Sequence, residues 1–170
     1  MKGYLVLARF TGEVPLPPSE LKVEKPPSVW DDINESGRKL IVAQFADRVT
    51  AEENEKRFLE MATPPVDMPT PDIRGVSITE ARGKTLSESE AGTYLSLVSL
   101  YASPGRGSEV GEDISATLQN LSAMPGFKGH IRGYNVSLEE ELWAIVLWDQ
   151  KPPTPPQVEG ISYTCYARIR

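Results

Sequence analysis

The stretch Leu118-Gln-Asn-Leu-Ser-Ala-Met-Pro-Gly-Phe-Lys-Gly-His-Ile-Arg-Gly-Tyr134, followed by Leu142-Trp-Ala-Ile-Val-Leu-Trp148, decides the fold. It begins inside a predicted helix that Ser108 can cap. Pro125-Gly126 ends this helix, because proline and glycine both interrupt helical backbone. Two predicted strands follow, joined by an acidic turn at Glu139–Glu141. The apolar stripe of the helix has spacings of four, four and three residues and consists of Val110, Ile114, Leu118 and Leu121.

Further elements are predicted on both sides of this stretch. A capping box at Thr50–Glu53 predicts a helix to about Ala62, and Ser28 is expected to cap a short helix that ends near Gly37. Most of the 15 prolines fall in three clusters, which are typical of surface connections. The predicted strands are rich in Val, Ile, Leu and Tyr and cover Gly3–Phe10, Lys39–Asp47, Ile73–Arg82, Thr93–Ala102, Phe127–Val136, Leu142–Trp148 and Ile161–Ile169.

Length and composition favour one intracellular domain. A chain of 170 residues can bury its own core, and we expect a single domain with an arm at 1–38, a core at 39–150 and a closing segment at 151–170. The net charge of −6 and the scattered 18 basic residues argue against nucleic acid as a partner. No apolar run approaches the ~20 residues that span a bilayer, and the single Cys165 suits a reducing compartment, so we expect a cytoplasmic location and no membrane contact.

The order of elements from Lys39 onward is strand, helix, strand, strand, helix, strand. This is the split βαβ, ferredoxin-like order, so we predict an α+β fold with an antiparallel sheet and extra N- and C-terminal strands. The helices would cover one face of the sheet, and the other face would need a second layer. A second copy of the chain would provide it, which predicts a homodimer whose two sheets enclose a pocket.

The sequence resembles the dimeric α+β barrel superfamily, and within it the EthD-like and antibiotic-biosynthesis-monooxygenase-like families. The resemblance covers about two-thirds of the chain, from Lys39 to Gln150. The residues that carry it are Leu40–Asp47, Tyr94–Tyr101 and Met124-Pro-Gly-Phe127 leading to Leu142–Trp148. It implies a cofactor-independent monooxygenase, polyketide cyclase or small-ring isomerase. EthD-like proteins often carry a histidine near the end of the first helix, where this chain has Phe58-Leu-Glu-Met-Ala-Thr-Pro-Pro65, so chemistry resting on that histidine is in doubt.

His130 is the strongest catalytic candidate, because it is the only histidine and imidazole is the side chain that titrates near neutral pH. Strand alternation places His130 on one face with Arg132 and Tyr134. If that face lines a pocket, His130 can act as general acid or base and Tyr134 can donate to a substrate oxygen. Arg132, or Lys128 on the same face, can stabilise an enolate. The alternative is a solvated polar face.

Other polar and aromatic residues complete the predicted site. Glu80 can serve as a base if an apolar pocket desolvates its carboxylate, although exposure near a strand end is the simpler interpretation. Tyr94, Tyr101, Gln44 and Trp143 are predicted to contact substrate, with Tyr94 and Tyr101 on opposite faces of their strand. Cys165 reads as a small core residue. One histidine and one cysteine do not make an ordinary zinc site, and we expect no cofactor.

The leading functional hypothesis is a cofactor-independent cyclase or isomerase of secondary metabolism. It would act on a largely apolar small molecule such as a polyketide or terpenoid intermediate, and pericyclic ring closure is included. Two alternatives stay open: a cofactor-free monooxygenase, and a non-catalytic dimeric binding or assembly module. A pocket with convergent polar groups would favour an enzyme. A barrel interior filled by side chains would favour the module.

Overall fold

The computed structural model describes residues 3–11, 28–35, 37–45, 49, 52–53, 56, 72–83, 93–101, 107–136, 138–152 and 161–168. Within these residues, eight strands and one helix are defined. In chain order they are β1 (Tyr4–Thr11), β2 (Ser28–Asp32), β3 (Arg38–Phe45), β4 (Asp72–Gly83), β5 (Tyr94–Tyr101), α1 (Gly107–Ser122), β6 (Phe127–Asn135), β7 (Leu138–Trp148) and β8 (Ile161–Arg168).

The strands close into one antiparallel barrel. Around the barrel their order is β1-β3-β2-β8-β5-β7-β6-β4, and β4 returns to pair with β1. Strands from the beginning and the end of the chain meet at β2 and β8, where Trp30 pairs with Arg168. Because the described strands form a closed ring, each of them has a neighbour on both sides.

The pairing pattern of the first four strands recurs in the last four. The first half has the spatial order β4-β1-β3-β2, and the second half has the corresponding order β8-β5-β7-β6. The registers agree as well, since Tyr4 pairs with Phe45 in the first half and Tyr94 pairs with Trp148 in the second. The barrel is therefore built from two topologically equivalent four-stranded halves, joined at β2–β8 and at β4–β6.

Side chains fill the described interior of the barrel. Alternate residues of each strand point inward and form one apolar cluster, in which Trp30, Trp143 and Tyr166 are the largest members. Trp30 is completely buried and its indole N–H donates to the hydroxyl of Ser28 at 2.8 Å. The cleft among Leu5, Leu7 and Ile145 has no room for a water molecule. The interior is thus a packed core.

Helix α1 covers part of the outer surface. Ile114, Leu118 and Leu121 are buried against outward-facing residues of β5 and β7, which confirms the described part of the predicted apolar stripe. Gly126 after Pro125 has a φ of +90°, which suits glycine at the predicted helix stop. Among the described residues, no helix is both long enough and apolar enough to cross a membrane.

The predicted ferredoxin-like α+β fold with a dimeric barrel is wrong, because one chain closes the barrel by itself. The error lies mainly at Ser28–Asp31, which were expected to begin a helix and instead form β2. Val29 and Trp30 are strand-favouring residues, and burial of Trp30 inside the barrel outweighs the capping preference of Ser28. With β2 in place between β3 and β8, the described strands of one chain enclose the sheet face that a second copy was expected to cover.

The other element predictions had mixed outcomes. Seven predicted strands are confirmed within one or two residues, except that β7 begins at Leu138 and therefore includes the predicted acidic turn. The helix predicted from Thr50 to about Ala62 lies mostly outside the described residues. Since the fold does not require a second copy, the homodimer stays a prediction, as does the division into the segments 1–38, 39–150 and 151–170.

Candidate functional site

The face of β6 that carries His130 points out of the barrel. Ile131 belongs to the inner cluster, so its neighbours His130 and Arg132 project outward on the same side as α1. Tyr134 shares this alternation and is half-buried, but it does not line the cavity that His130 and Arg132 line. The structure therefore brings two of these three predicted residues together, outside the barrel rather than in an enclosed interior.

A β-bulge in β4 brings Glu80 to the same place. Val76 and Ile78 point inward, and simple alternation would also point Glu80 inward. The pairing of β4 with β6 shifts by one residue between Ile78 and Glu80, so Glu80 lies opposite Arg132. Thr79 is the extra residue, and its hydroxyl donates to the carbonyl of Arg132 at 3.2 Å. The bulge thus turns the end of β4 over and directs Glu80 toward His130.

His130 and Glu80 form a hydrogen-bonded pair. His130 Nε2 lies 3.1 Å from Glu80 Oε1, and the same oxygen lies 2.9 Å from Arg82 Nε. The side chain of His130 is 12% exposed and that of Glu80 is 36% exposed. An ionised carboxylate only accepts hydrogen bonds, so Nε2 donates and the lone pair of a neutral imidazole lies on Nδ1.

The pair lines a groove between α1 and the ends of β4 and β6. The groove has a volume of about 450 Å³. Arg132 crosses it and donates from Nη1 to the hydroxyl of Ser115 on α1 at 2.7 Å. Leu118 and Phe127 supply apolar wall, and the ring of Phe127 lies 6.3 Å from that of His130. A base, a guanidinium and an apolar surface therefore meet in one concave site.

The four residues predicted to contact substrate do not line this groove. Tyr94 packs on the outer cluster beside α1, whereas Trp143 lies in the inner core and donates from its indole N–H to Glu141 at 2.5 Å. Gln44 is half-buried near the end of β3. Tyr101 pairs with Glu141, and its side chain lies outside what the structure describes. Their role in binding substrate stays a prediction.

Most groove residues were missed from the sequence, among them Arg82, Ser115 and Phe127. Arg82 could have been found because it alternates with Glu80 at the end of a predicted strand. Ser115 follows Ile114 of the apolar stripe, which places it at the edge of the buried helix face. Phe127 follows the Pro-Gly turn directly. The bulge that directs Glu80 toward His130 could not be predicted from the sequence, because Thr79 is an ordinary strand residue.

A second polar cluster is buried between β5, β7 and β8. The hydroxyl of Ser96 lies 2.7 Å from that of Tyr163 and accepts from the indole N–H of Trp148 at 2.9 Å. Burial raises the pKa of the Cys165 thiol, and burial likewise raises the pKa of Tyr163 well above its usual range. A thiol held in its neutral form is a poor nucleophile, which agrees with the interpretation of Cys165 as a core residue.

No group of three or more potential metal-ligating side chains occurs in the part of the chain that the structure describes. The groove itself offers one imidazole and one carboxylate that are already bonded to each other. This arrangement suits proton transfer: an imidazole orients toward the groove while a carboxylate holds its other nitrogen.

Comparison with known proteins finds relatives by structure. No protein-family model and no curated protein sequence matches the chain. A protein described as anthrone oxidase-like superposes with a TM-score of 0.69 at 16% identity, over 100% of this chain and 92% of its own. A protein of Fusobacterium nucleatum subsp. nucleatum, named as a candidate monooxygenase, has a TM-score of 0.65 at 10% identity, over 99% of this chain and 93% of its own. A similarly named protein of Lactobacillus acidophilus NCFM has a TM-score of 0.61 at 9% identity, over 99% of this chain and 94% of its own.

The chain thus has a barrel fold related to that of proteins named for monooxygenase or oxidase activity. This agrees with the broader part of the resemblance seen in the sequence. The EthD-like assignment within it stays a prediction.

Proposed function

We propose that this chain is a cofactor-independent enzyme that removes a proton from a small, largely apolar molecule in the groove beside α1. The observation that carries the proposal is the bonded pair of His130 and Glu80, placed next to Arg132 in a cavity of about 450 Å³. The shared fold with proteins named as oxidases and monooxygenases supports an enzyme.

His130 is the proton acceptor in this proposal. Its Nδ1 takes a proton from a carbon whose carbanion is conjugated with a carbonyl group, as it is for the CH₂ carbon of anthrone, while Glu80 holds Nε2 and balances the positive charge that forms on the ring. Arg132 stabilises the negative charge that develops on the substrate oxygen. Phe127 and Leu118 bind the apolar body of the substrate, so that the acidic carbon lies next to the imidazole.

The carbanion can react in three ways. Reprotonation at another carbon, or attack on a second carbonyl, gives the isomerisation or cyclisation expected from the sequence. In a monooxygenase the carbanion adds dioxygen, the adduct takes a proton to become a hydroperoxide, and loss of water leaves a carbonyl. That sequence converts CH₂ and O₂ into C=O and H₂O. The names of the structural relatives favour oxygenation among the three outcomes.

A non-catalytic binding module is the second candidate function. The packed centre of the barrel favours it, because the described cleft among the inner apolar side chains has no room for a water molecule. The two candidates differ in whether the groove performs proton transfer, since either function can use its apolar wall for binding.

Deuterium exchange and oxygen uptake test the proposal. The purified chain is mixed with anthrone in deuterated buffer without oxygen, and exchange at the CH₂ carbon is followed by mass spectrometry. Oxygen consumption is measured separately in air. We expect protein-dependent exchange, and His130→Gln should lower its rate about 100-fold because a general base contributes 10²–10⁴-fold. Glu80→Gln should lower the rate about 10-fold, since the amide still contacts the ring but carries no charge.

Lys39→Gln is the control. Lys39 pairs with Asp31 on another part of the surface, so this substitution removes one charge without changing the groove. Equal rates for His130→Gln and the unaltered chain would refute the role of His130. Binding of anthrone in the groove without exchange or oxygen uptake would favour the binding module.

A further inference from the structure

A second cavity, of about 310 Å³, lies at the other end of the barrel. Strand β4 connects the two cavities: Asp72 at its start lines the second cavity, and Glu80 near its end lines the groove. Eight residues of extended strand separate these positions, which is roughly 26 Å at 3.3 Å per residue. The second cavity is therefore a separate site at the barrel mouth, a position where barrel folds commonly hold small molecules.

Polar groups from strands β1, β2, β3 and β8 converge at the barrel mouth. Tyr166 forms its floor and is 3% exposed. Burial raises the pKa of Tyr166 to about 12, so the phenol is protonated and can donate at neutral pH. Arg9, Asp32 and Arg38 line the same cavity as this phenol.

Arg9 is held in place on two sides. Its guanidinium lies 5.5 Å from the centre of the Trp143 ring and donates to Asp72. The planar guanidinium has five N–H groups, so the contact with Asp72 leaves further donors at the cavity. A guanidinium fixed in this way loses little freedom when it binds a ligand.

Both carboxylates at the barrel mouth already accept hydrogen bonds, and the two arginines carry further N–H donors. Asp72 accepts from Arg9 and also pairs with Arg74 at 3.2 Å. Asp32 Oδ1 accepts the backbone N–H groups of the two residues 34 and 35, at 2.8 and 3.0 Å. Arg38 pairs with a carboxylate that is 56% exposed, which solvent can replace readily. Arg9 also contacts the hydroxyl oxygen of Tyr166, so the donors left for a ligand are the remaining guanidinium N–H groups and the O–H of this phenol.

We propose that the barrel mouth binds a small oxyanion, a carboxylate or a phosphate, between Arg9, Arg38 and the hydroxyl of Tyr166. Both groups present several acceptor oxygens to a guanidinium, and both form charge-assisted hydrogen bonds with it. The cavity has space for about ten water molecules at liquid density, so it accepts a small organic acid or a phosphorylated fragment. This site is independent of the function proposed for the groove.

Titration calorimetry of the full chain tests the site with two probes, sodium succinate and inorganic phosphate. Ionic strength is held constant with sodium chloride so that general screening does not change. We expect saturable binding of at least one probe. Arg38→Gln removes one guanidinium at a half-exposed position, and Tyr166→Phe removes only a hydroxyl. Each should weaken binding about 10-fold, because hydrogen bonds to charged groups contribute about 1.5–3 kcal/mol.

Lys128→Gln is the matched control, since it removes the same charge at the other end of the barrel, where Lys128 pairs with Asp149. Binding of succinate alone identifies a carboxylate site, and binding of phosphate alone identifies a phosphate site. The proposal is overturned if neither probe saturates up to tens of millimolar. It is also overturned if Lys128→Gln weakens binding as much as Arg38→Gln does.

Discussion

Substitution of Gly133 by alanine should damage the barrel at the seam next to the proposed site. Gly133 points inward on β6 opposite Ile78, just beside the bulge of β4. A Cβ atom at this position would lie 2.0 Å from the carbonyl oxygen of Ser77 and 2.8 Å from its carbonyl carbon, whereas ordinary contacts are 3.4–4 Å. Both atoms belong to the backbone of the paired strand, so no side-chain rotation relieves the overlap.

The expected loss is about 3 kcal/mol in the free energy of unfolding, at the upper end for overpacked sites. Guanidinium chloride unfolding measures it through tryptophan fluorescence, because Trp30, Trp143 and Trp148 are all buried. With a slope of about 4 kcal/mol per molar denaturant, the midpoint should fall by about 0.7 M.

Gly37→Ala is the matched control for Gly133→Ala. Gly37 has a φ of +87° and open space where its Cβ would lie, so alanine there adds backbone strain of about 1 kcal/mol and no overlap. A midpoint for Gly133→Ala equal to that of Gly37→Ala would refute the close approach of β4 and β6, and with it the bulge that directs Glu80.

Two further predictions concern buried hydroxyl groups. Ser96→Ala should cost about 3 kcal/mol, because it removes the hydrogen-bond partner of Trp148 and Tyr163 in a buried cluster. Denaturant unfolding measures this cost, and a loss below 1 kcal/mol would contradict the cluster. Tyr166→Phe should make the free energy of unfolding depend less on pH above pH 10. The phenol ionises near pH 10 in the unfolded chain and near 12 in the folded chain, so its contribution is complete below pH 10. The unaltered chain should then lose about 2 kcal/mol more than the variant from pH 10 to 12. Parallel pH curves for the two chains would exclude this linkage.

Local sequence patterns predicted most strands but not their closure. Runs such as the one at β1 show strand propensity directly, and the Pro-Gly stop at Gly126 marks the end of α1. Closure depends on β2, five residues whose serine and aspartates resemble a helix start. Its strand character comes from pairing with both β3 and β8, a contact between distant parts of the chain that no local pattern reports.

One long-range signal was present in the sequence. The first strands of the two equivalent halves, β1 and β5, share the pattern Tyr-Leu-x-Leu, at Tyr4–Leu7 and at Tyr94–Leu97. A second similarity, between the sequences Leu-Val-Leu-Ala-Arg-Phe at 5–10 and Leu-Ile-Val-Ala-Gln-Phe at 40–45, relates neighbouring strands of the same half. A search for the first of these matches would have indicated duplication within the chain.

The sequence indicated several residues of the candidate site but not that the site lies on the outer surface of the barrel. Alternation correctly placed His130 and Arg132 on one face, but alternation does not say which face points inward. The presence of α1 over the outer surface and the inward position of Ile131 decide the matter. Glu80 was named as a possible base, yet its approach to His130 depends on the one-residue shift in β4.

The central claim is that the apolar substrate binds in the outer groove rather than among the apolar side chains inside the barrel. Nuclear Overhauser contacts between bound anthrone and labelled side chains test it most directly, because the two locations have different neighbours. The account predicts contacts from the ligand to Phe127, Leu118 and His130. Contacts to Trp143 and Leu97 of the inner core, without any to Phe127, would contradict it.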